Sequence, residues 1–169
     1  MRKLPARGLP WLGISLAMLM GCDNRGQADD ATAQPPQQLP ITARWCLDPG
    51  PCIELEEALT PRQQMFGLQL REPLPPLRGM WFPFSPPTPA RFWMHRTPAP
   101  LDMIFVRDGR VLEVVEGAEP CMRLPCRSYG SGVPVDGVLE LAAGRAAALG
   151  IAPGVPVRIE PVPKPPRAP

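Results

Sequence analysis

Apolar and polar positions alternate over short stretches separated by turn residues, and helical spacing is rare. In "ITARWCL", Ile41, Ala43, Trp45 and Leu47 share one face, and "CIELEE" resumes the alternation after Asp48-Pro49-Gly50. Residues 41–57 therefore predict a β-hairpin. "GMWFPF" and "RFWM" are aromatic-rich strand candidates on either side of the proline loop "SPPTPA". The clearest hairpin is "LDMIFV-RDG-RVLEVVEG", with apolar runs flanking Asp108-Gly109. "GVLEL" and "VPVRIE" give two more strands.

Helical signals are two and short. Thr60, Pro61 and Gln63 form an N-cap, a first-turn proline and a capping-box partner, predicting a helix over 61–68 with Met65 and Leu68 inward. "AGRAAALGI" predicts a second, ended by Gly150. The sum is a mainly β, antiparallel domain with two small helices over residues 40–160, long enough for one core.

The ends follow other rules. Arg2, Lys3 and Arg7 precede an apolar run from Leu9 to Gly21 that is too short to cross a bilayer comfortably. It ends Leu19-Met20-Gly21-Cys22, which resembles a bacterial lipobox, although Met20 is bulkier than usual at its position. The expectation is a signal peptide over 1–21 and a lipid-anchored Cys22; the alternative is an ordinary secretory signal cut near Ala31. Several acyl chains on Cys22 would hold the protein stably in the lipid bilayer. Asp23, directly after it, resembles an inner-membrane retention signal, so the periplasmic face of the inner membrane is the expected location. Residues 22–39, rich in Gln, Ala, Asp and Pro, form a tether with almost nothing to bury, and residues 161–169 a proline-rich tail.

Signal removal takes away Arg2, Lys3 and Arg7 and no acid, so the formal charge falls from +2 to −1. No basic cluster remains, and nucleic acid is not an expected partner. It also leaves four cysteines besides Cys22. Cys46 and Cys52 bracket the turn "LDPGP", and Cys121 and Cys126 bracket "MRLP". Export and this spacing predict two local disulfides, Cys46–Cys52 and Cys121–Cys126. A four-thiolate zinc site is the rival, with less suitable spacing.

The candidate chemistry lies in "RFWMHRTPAPLDMIFV", residues 91–106. Phe92, Trp93 and Met94 read as core, or as one wall of a pocket. His95 has no second histidine to work with and reads as a surface residue beside Arg96. Asp102, at the start of an apolar strand, needs hydrogen bonds or a cation if it is buried. Arg62, Arg71, Arg91 and Arg96 are the available cations. Asp102 either locks the proline bend or joins a binding groove with Arg62, Arg71, Trp93 and Arg96. Glu140, in "VLEL", presents the same choice. Templates for serine hydrolases, zinc peptidases and phosphate loops are absent. Met65, Met80, Met94, Met103 and Met122 show no MxxM or HxxM run that would favour copper, so no metal or cofactor is expected.

Several motifs carry a family resemblance. Arg62 with "GLQLR" is similar to R..GLM.R, "GMWFPF" to GM.F.F, "FWMHRTPAPLDMIFV" to FWM.NT..PLDI.F, and "VLELAAG" with "LGI" closes the order. Over residues 53–159 the chain resembles the domain of unknown function 192 family. The resemblance implies a compact β-sandwich with jelly-roll character and no established reaction. Gln69 stands where the family usually has methionine and Arg96 where it usually has asparagine, so a role needing either would not carry over. Two functions follow as expectations: a membrane-tethered periplasmic binding or accessory module for a peptide, envelope protein or small ligand, or an envelope enzyme using Asp102 with an arginine clamp on a peptide or anionic substrate.

Overall fold

The computed structural model describes residues 35–162. Cys22, Asp23, the signal stretch, most of the tether and the end of the tail lie outside them. In chain order the described elements are β1 (Ile41–Cys46), β2 (Cys52–Glu57), α1 (Pro61–Phe66), β3 (Arg78–Thr88), β4 (Phe92–Trp93), β5 (Leu101–Arg107), β6 (Arg110–Ala118), β7 (Ser128–Tyr129), β8 (Val135–Ala142), α2 (Arg145–Ala148) and β9 (Ile159–Pro161). Seven strands form one sheet in the order β6-β5-β8-β3-β2-β1-β9, and β4 pairs with β7 in a small second sheet. Among the described strands, only β2 and β3 pair in parallel. Their connection carries α1, as a crossover between parallel strands requires.

Alternation along the strands divides the core between the two faces of the large sheet. Met80, Phe82, Met103, Phe105 and Val138 belong to one apolar cluster, joined by Ala90, Met94 and Tyr129 from the small sheet and its loops. Trp81, Ile104, Val106, Leu139 and Leu141 belong to the other, covered by Ala146 of α2 with Ile151 and Val157. The fold is mainly β with two short helices, as the strand-rich pattern predicts, and sandwich-like, as the family resemblance implies. Both cysteine pairs are disulfide-bonded as expected, which removes the zinc alternative.

Local sequence accounts for much of this. Asp108 and Gly109 have φ of 50° and 66°, the conformation a tight two-residue hairpin turn needs. The Thr60 hydroxyl accepts from the Gln63 N–H at 3.2 Å, and the Gln63 side chain accepts from the Thr60 N–H at 2.9 Å, completing the predicted capping box. Three expectations need correction. The first helix ends at Phe66 because Gly67 turns the chain at φ 46°, so Leu68 is buried from a turn and Met65 is 60% exposed. The "SPPTPA" stretch is no free loop: β3 continues to Thr88, and a break in register between Pro83 and Thr88 accommodates the prolines. The last strand is only Ile159–Pro161, because the Val157 N–H donates to the Gly109 carbonyl across the β5–β6 turn before the chain reaches β1.

Candidate functional site

Three carboxylate side chains are buried among the described residues: Glu56, Asp102 and Glu140. Two of them accept hydrogen bonds from segments that pack on the sheet or beside it, and the third faces a cleft.

Asp102 is 0% exposed on β5. Opposite it the β5–β6 register slips, with Leu101 facing Ala118 and Met103 facing Val115. Gly117 fills this bulge at φ 60°, in space where an added Cβ would meet nothing, so its conformation and not crowding calls for glycine. The Gly117 N–H donates to Asp102 Oδ1 at 2.9 Å, and the Ala146 N–H donates to Oδ2 at 2.9 Å. Gly144, the N-cap of α2, has no side chain with which to cap the helix. Asp102 therefore supplies the missing acceptor from a distant strand and ties β6 to α2.

Glu56, Met80, Glu140 and Met103 stand in one row across β2, β3, β8 and β5. At one end of the row Glu56 holds Arg71 through two hydrogen bonds of 2.6 and 2.8 Å and accepts the Leu39 N–H at 2.9 Å. The fork of a guanidinium on a carboxylate suits burial because each oxygen gains a charged donor.

Glu140 lies between Met80 and Met103 and is 4% exposed. It lines a cleft of about 320 Å³ formed by Gln64 to Gln69, Phe82 and Phe84 of β3, Thr88 to Trp93, and Thr97. Burial alone pushes its carboxyl up from the ordinary 4.5 to about 8, so it is mostly neutral at pH 7. Five rings border this space: Phe66, Phe82, Phe84, Phe92 and Trp93. Phe92 meets Phe82 edge-on at 5.0 Å with the rings at 88°, and Phe84 at 6.5 Å with the rings at 70°. Of the described lining residues, only Glu140 and Arg91 carry ionisable side chains.

The five residues expected to form a binding groove do not converge. Trp93 lines the cleft, 47% exposed, while its neighbour Met94 is core. Arg71 is held by Glu56, and Asp102 lies on the other face of the sheet. The Arg62 guanidinium stacks 5.7 Å from the centre of the Phe66 ring, beside the cleft. Arg96 adopts φ 56°, donates its N–H to the Cys121 carbonyl and accepts from the Leu70 N–H, so its main chain joins three segments. His95 is half-buried, its ring 5.3 Å from that of Trp93. The signal for Glu140 is present in "VLEL", an acid in an apolar strand; the signal for the surrounding cleft is not, because its walls come from four separate segments.

Similar structures have been solved. One is a protein from Sinorhizobium meliloti described provisionally as a transcription regulator; it is 35% identical with a TM-score of 0.61, and the match covers 71% of this chain and 92% of that one. Another is a protein of unknown function from Novosphingobium aromaticivorans, 34% identical with a TM-score of 0.62, over 80% of this chain and 99% of that one. No curated protein matches the chain. A family model described as an uncharacterised ACR matches residues 47–159, and the chain belongs to this domain of unknown function 192 family.

Proposed function

We propose that the protein is a lipid-anchored binding module of the bacterial envelope that takes a small ligand in the Glu140 cleft. The observation that carries this reading is the cleft's construction: apolar and aromatic walls closed at the base by one buried carboxyl. Small-molecule sites have this character, a mostly apolar concavity with few polar groups to orient the ligand. A volume of about 320 Å³ suits a small molecule better than a folded partner.

Support for a non-enzymatic role comes from Asp102. An enzyme built on that carboxylate with an arginine clamp needs both groups at a substrate. Asp102 instead accepts two backbone N–H groups, and Arg71 is occupied by Glu56. Support for the envelope comes from the two disulfides, which belong to an oxidising compartment, and from the lipobox-like sequence before Cys22. On this reading Cys22 anchors the domain at the periplasmic face of the inner membrane.

Co-purification tests the proposal. Protein extracted from envelope membranes in mild detergent and then denatured should release a small molecule, identified by mass spectrometry. Thr88→Trp, which places bulk at the exposed rim of the cleft, should reduce that release at least about tenfold without unfolding the domain. Equal release from the folded variant would refute binding in the cleft.

A further inference from the structure

We infer, building on the cleft reading above, that the ligand is a small organic ammonium: an amine on an apolar or aromatic body, its cation held between the ring wall and the Glu140 carboxylate. Three features of the cleft converge on this class.

The first is the ring wall. Phe82, Phe84, Phe92 and Trp93 border a single small space together with Phe66, whose ring already carries the Arg62 guanidinium, and the steeply angled Phe92 contacts keep the rings from stacking flat against one another. Aromatic faces attract cations through their quadrupole, most strongly when water is excluded and most strongly for tryptophan. A purely apolar ligand would be served as well by leucine and valine walls.

The second is the carboxyl at the base. Glu140 has Met80 on one side and Met103 on the other, neither of which can neutralise it. Glu56, farther along the same row, already holds Arg71. A buried acid beside apolar side chains is costly unless a cation or donors meet it. A ligand ammonium supplies both charge and hydrogen-bond donors to the carboxylate.

The third is the charge pattern. Arg91, the other ionisable lining residue, is solvent-exposed at the rim, where water screens it. The buried charge site is therefore acidic. An anionic head group would meet an acid at the base, whereas an ammonium would meet its counterion.

Binding of the cation to the neutral acid releases a proton to solvent: Glu140–COOH and R–NH3+ give the Glu140–COO−/R–NH3+ pair and H+. Affinity for the ammonium therefore rises with pH up to about 8, where the empty site ionises.

Calorimetric titration of the mature full chain in detergent micelles tests this with phenethylammonium, 2-phenylethanol and 3-phenylpropanoate, which share an aromatic body and differ in the head group. At pH 7 the ammonium should bind at least about tenfold more tightly than the alcohol, and the carboxylate more weakly than either. The heat should depend on the buffer's ionisation enthalpy, reporting proton release. E140Q, confirmed folded by its melting curve, should abolish both the preference and the proton release. If the alcohol matches the ammonium, or folded E140Q keeps the preference, the ammonium assignment is wrong. If none of the three binds, it is also wrong. In both cases the co-purification experiment decides separately whether the cleft binds a ligand.

Discussion

Asp102 and Glu140 lie one register step apart on the adjacent strands β5 and β8, yet their carboxyls serve opposite faces of the sheet. Asp102 pairs across with Leu141, and Glu140 with Met103. Side chains alternate with a period of two, so one residue of offset sends one acid under α2 and the other into the cleft. Two acids that look equivalent along the chain thus acquire different roles.

Asp102→Asn keeps the size of the side chain but replaces one acceptor oxygen with a donor that faces a backbone N–H. It should destabilise the fold by about 1–3 kcal/mol in denaturant melts. His95→Ala, which loses the ring contact with Trp93 but no buried charge, should cost less than Asp102→Asn in the same melts. If Asp102→Asn melts like wild type, its carboxylate does not hold β6 to α2.

The strands, hairpins and tight turns are legible because that information is local, whereas the sheet order and the parallel β2–β3 pairing are not. Asp108-Gly109 carries its own turn, and the Thr60–Gln63 capping box its own helix start. Spacing alone extends the first helix past Gly67 and puts Met65 on a face with Leu68, but the helix ends at Phe66 and Met65 faces solvent. Burial of acids was harder to read. In "CIELEE", Ile53 and Leu55 occupy the core face, so Glu56 looks like the wet side of a hairpin. It becomes buried only when Arg71 and the segment at Leu39 fold over it. Glu140 betrays itself by apolar neighbours on both sides, but Gln64–Gln69 and Thr88–Trp93, which turn its face into a cleft, are remote in sequence. Long-range covering, not local propensity, decides which polar position becomes a site.

Arg71→Ala should be among the costly single changes. It leaves the buried Glu56 carboxylate with the Leu39 N–H but without its bidentate cation, and breaking such a pair costs about 3–5 kcal/mol. The double variant Glu56→Gln/Arg71→Met should recover part of that loss in a double-mutant cycle. Additive costs would contradict a coupled pair.

Stability should carry the signature of Glu140. Its carboxyl is raised to about 8 in the folded protein against 4.5 ordinarily, so between those values the folded state holds a proton that the unfolded state has lost. This group's contribution to stability therefore falls as pH rises from about 5 to 8, by up to about 1.4 kcal/mol per unit, and levels off above. Glu140→Gln should flatten that slope. An identical slope in the variant would mean that other groups cause it.

Lipidation can be checked through Cys22, outside the described residues. Wild type should partition into detergent, whereas Cys22→Ala should remain unprocessed or stay soluble. Equal partitioning of the processed proteins would contradict the anchor.

The central claim, that burial keeps the Glu140 carboxyl neutral where it lines the aromatic cleft, is tested most directly by a 13C NMR titration of glutamate-labelled protein, with the Glu140 signal assigned by its loss in Glu140→Gln. The Glu140 carboxyl should titrate near pH 8 and shift to markedly lower pH when phenethylammonium is added. A midpoint near the ordinary 4.5 in the ligand-free protein would contradict the claim.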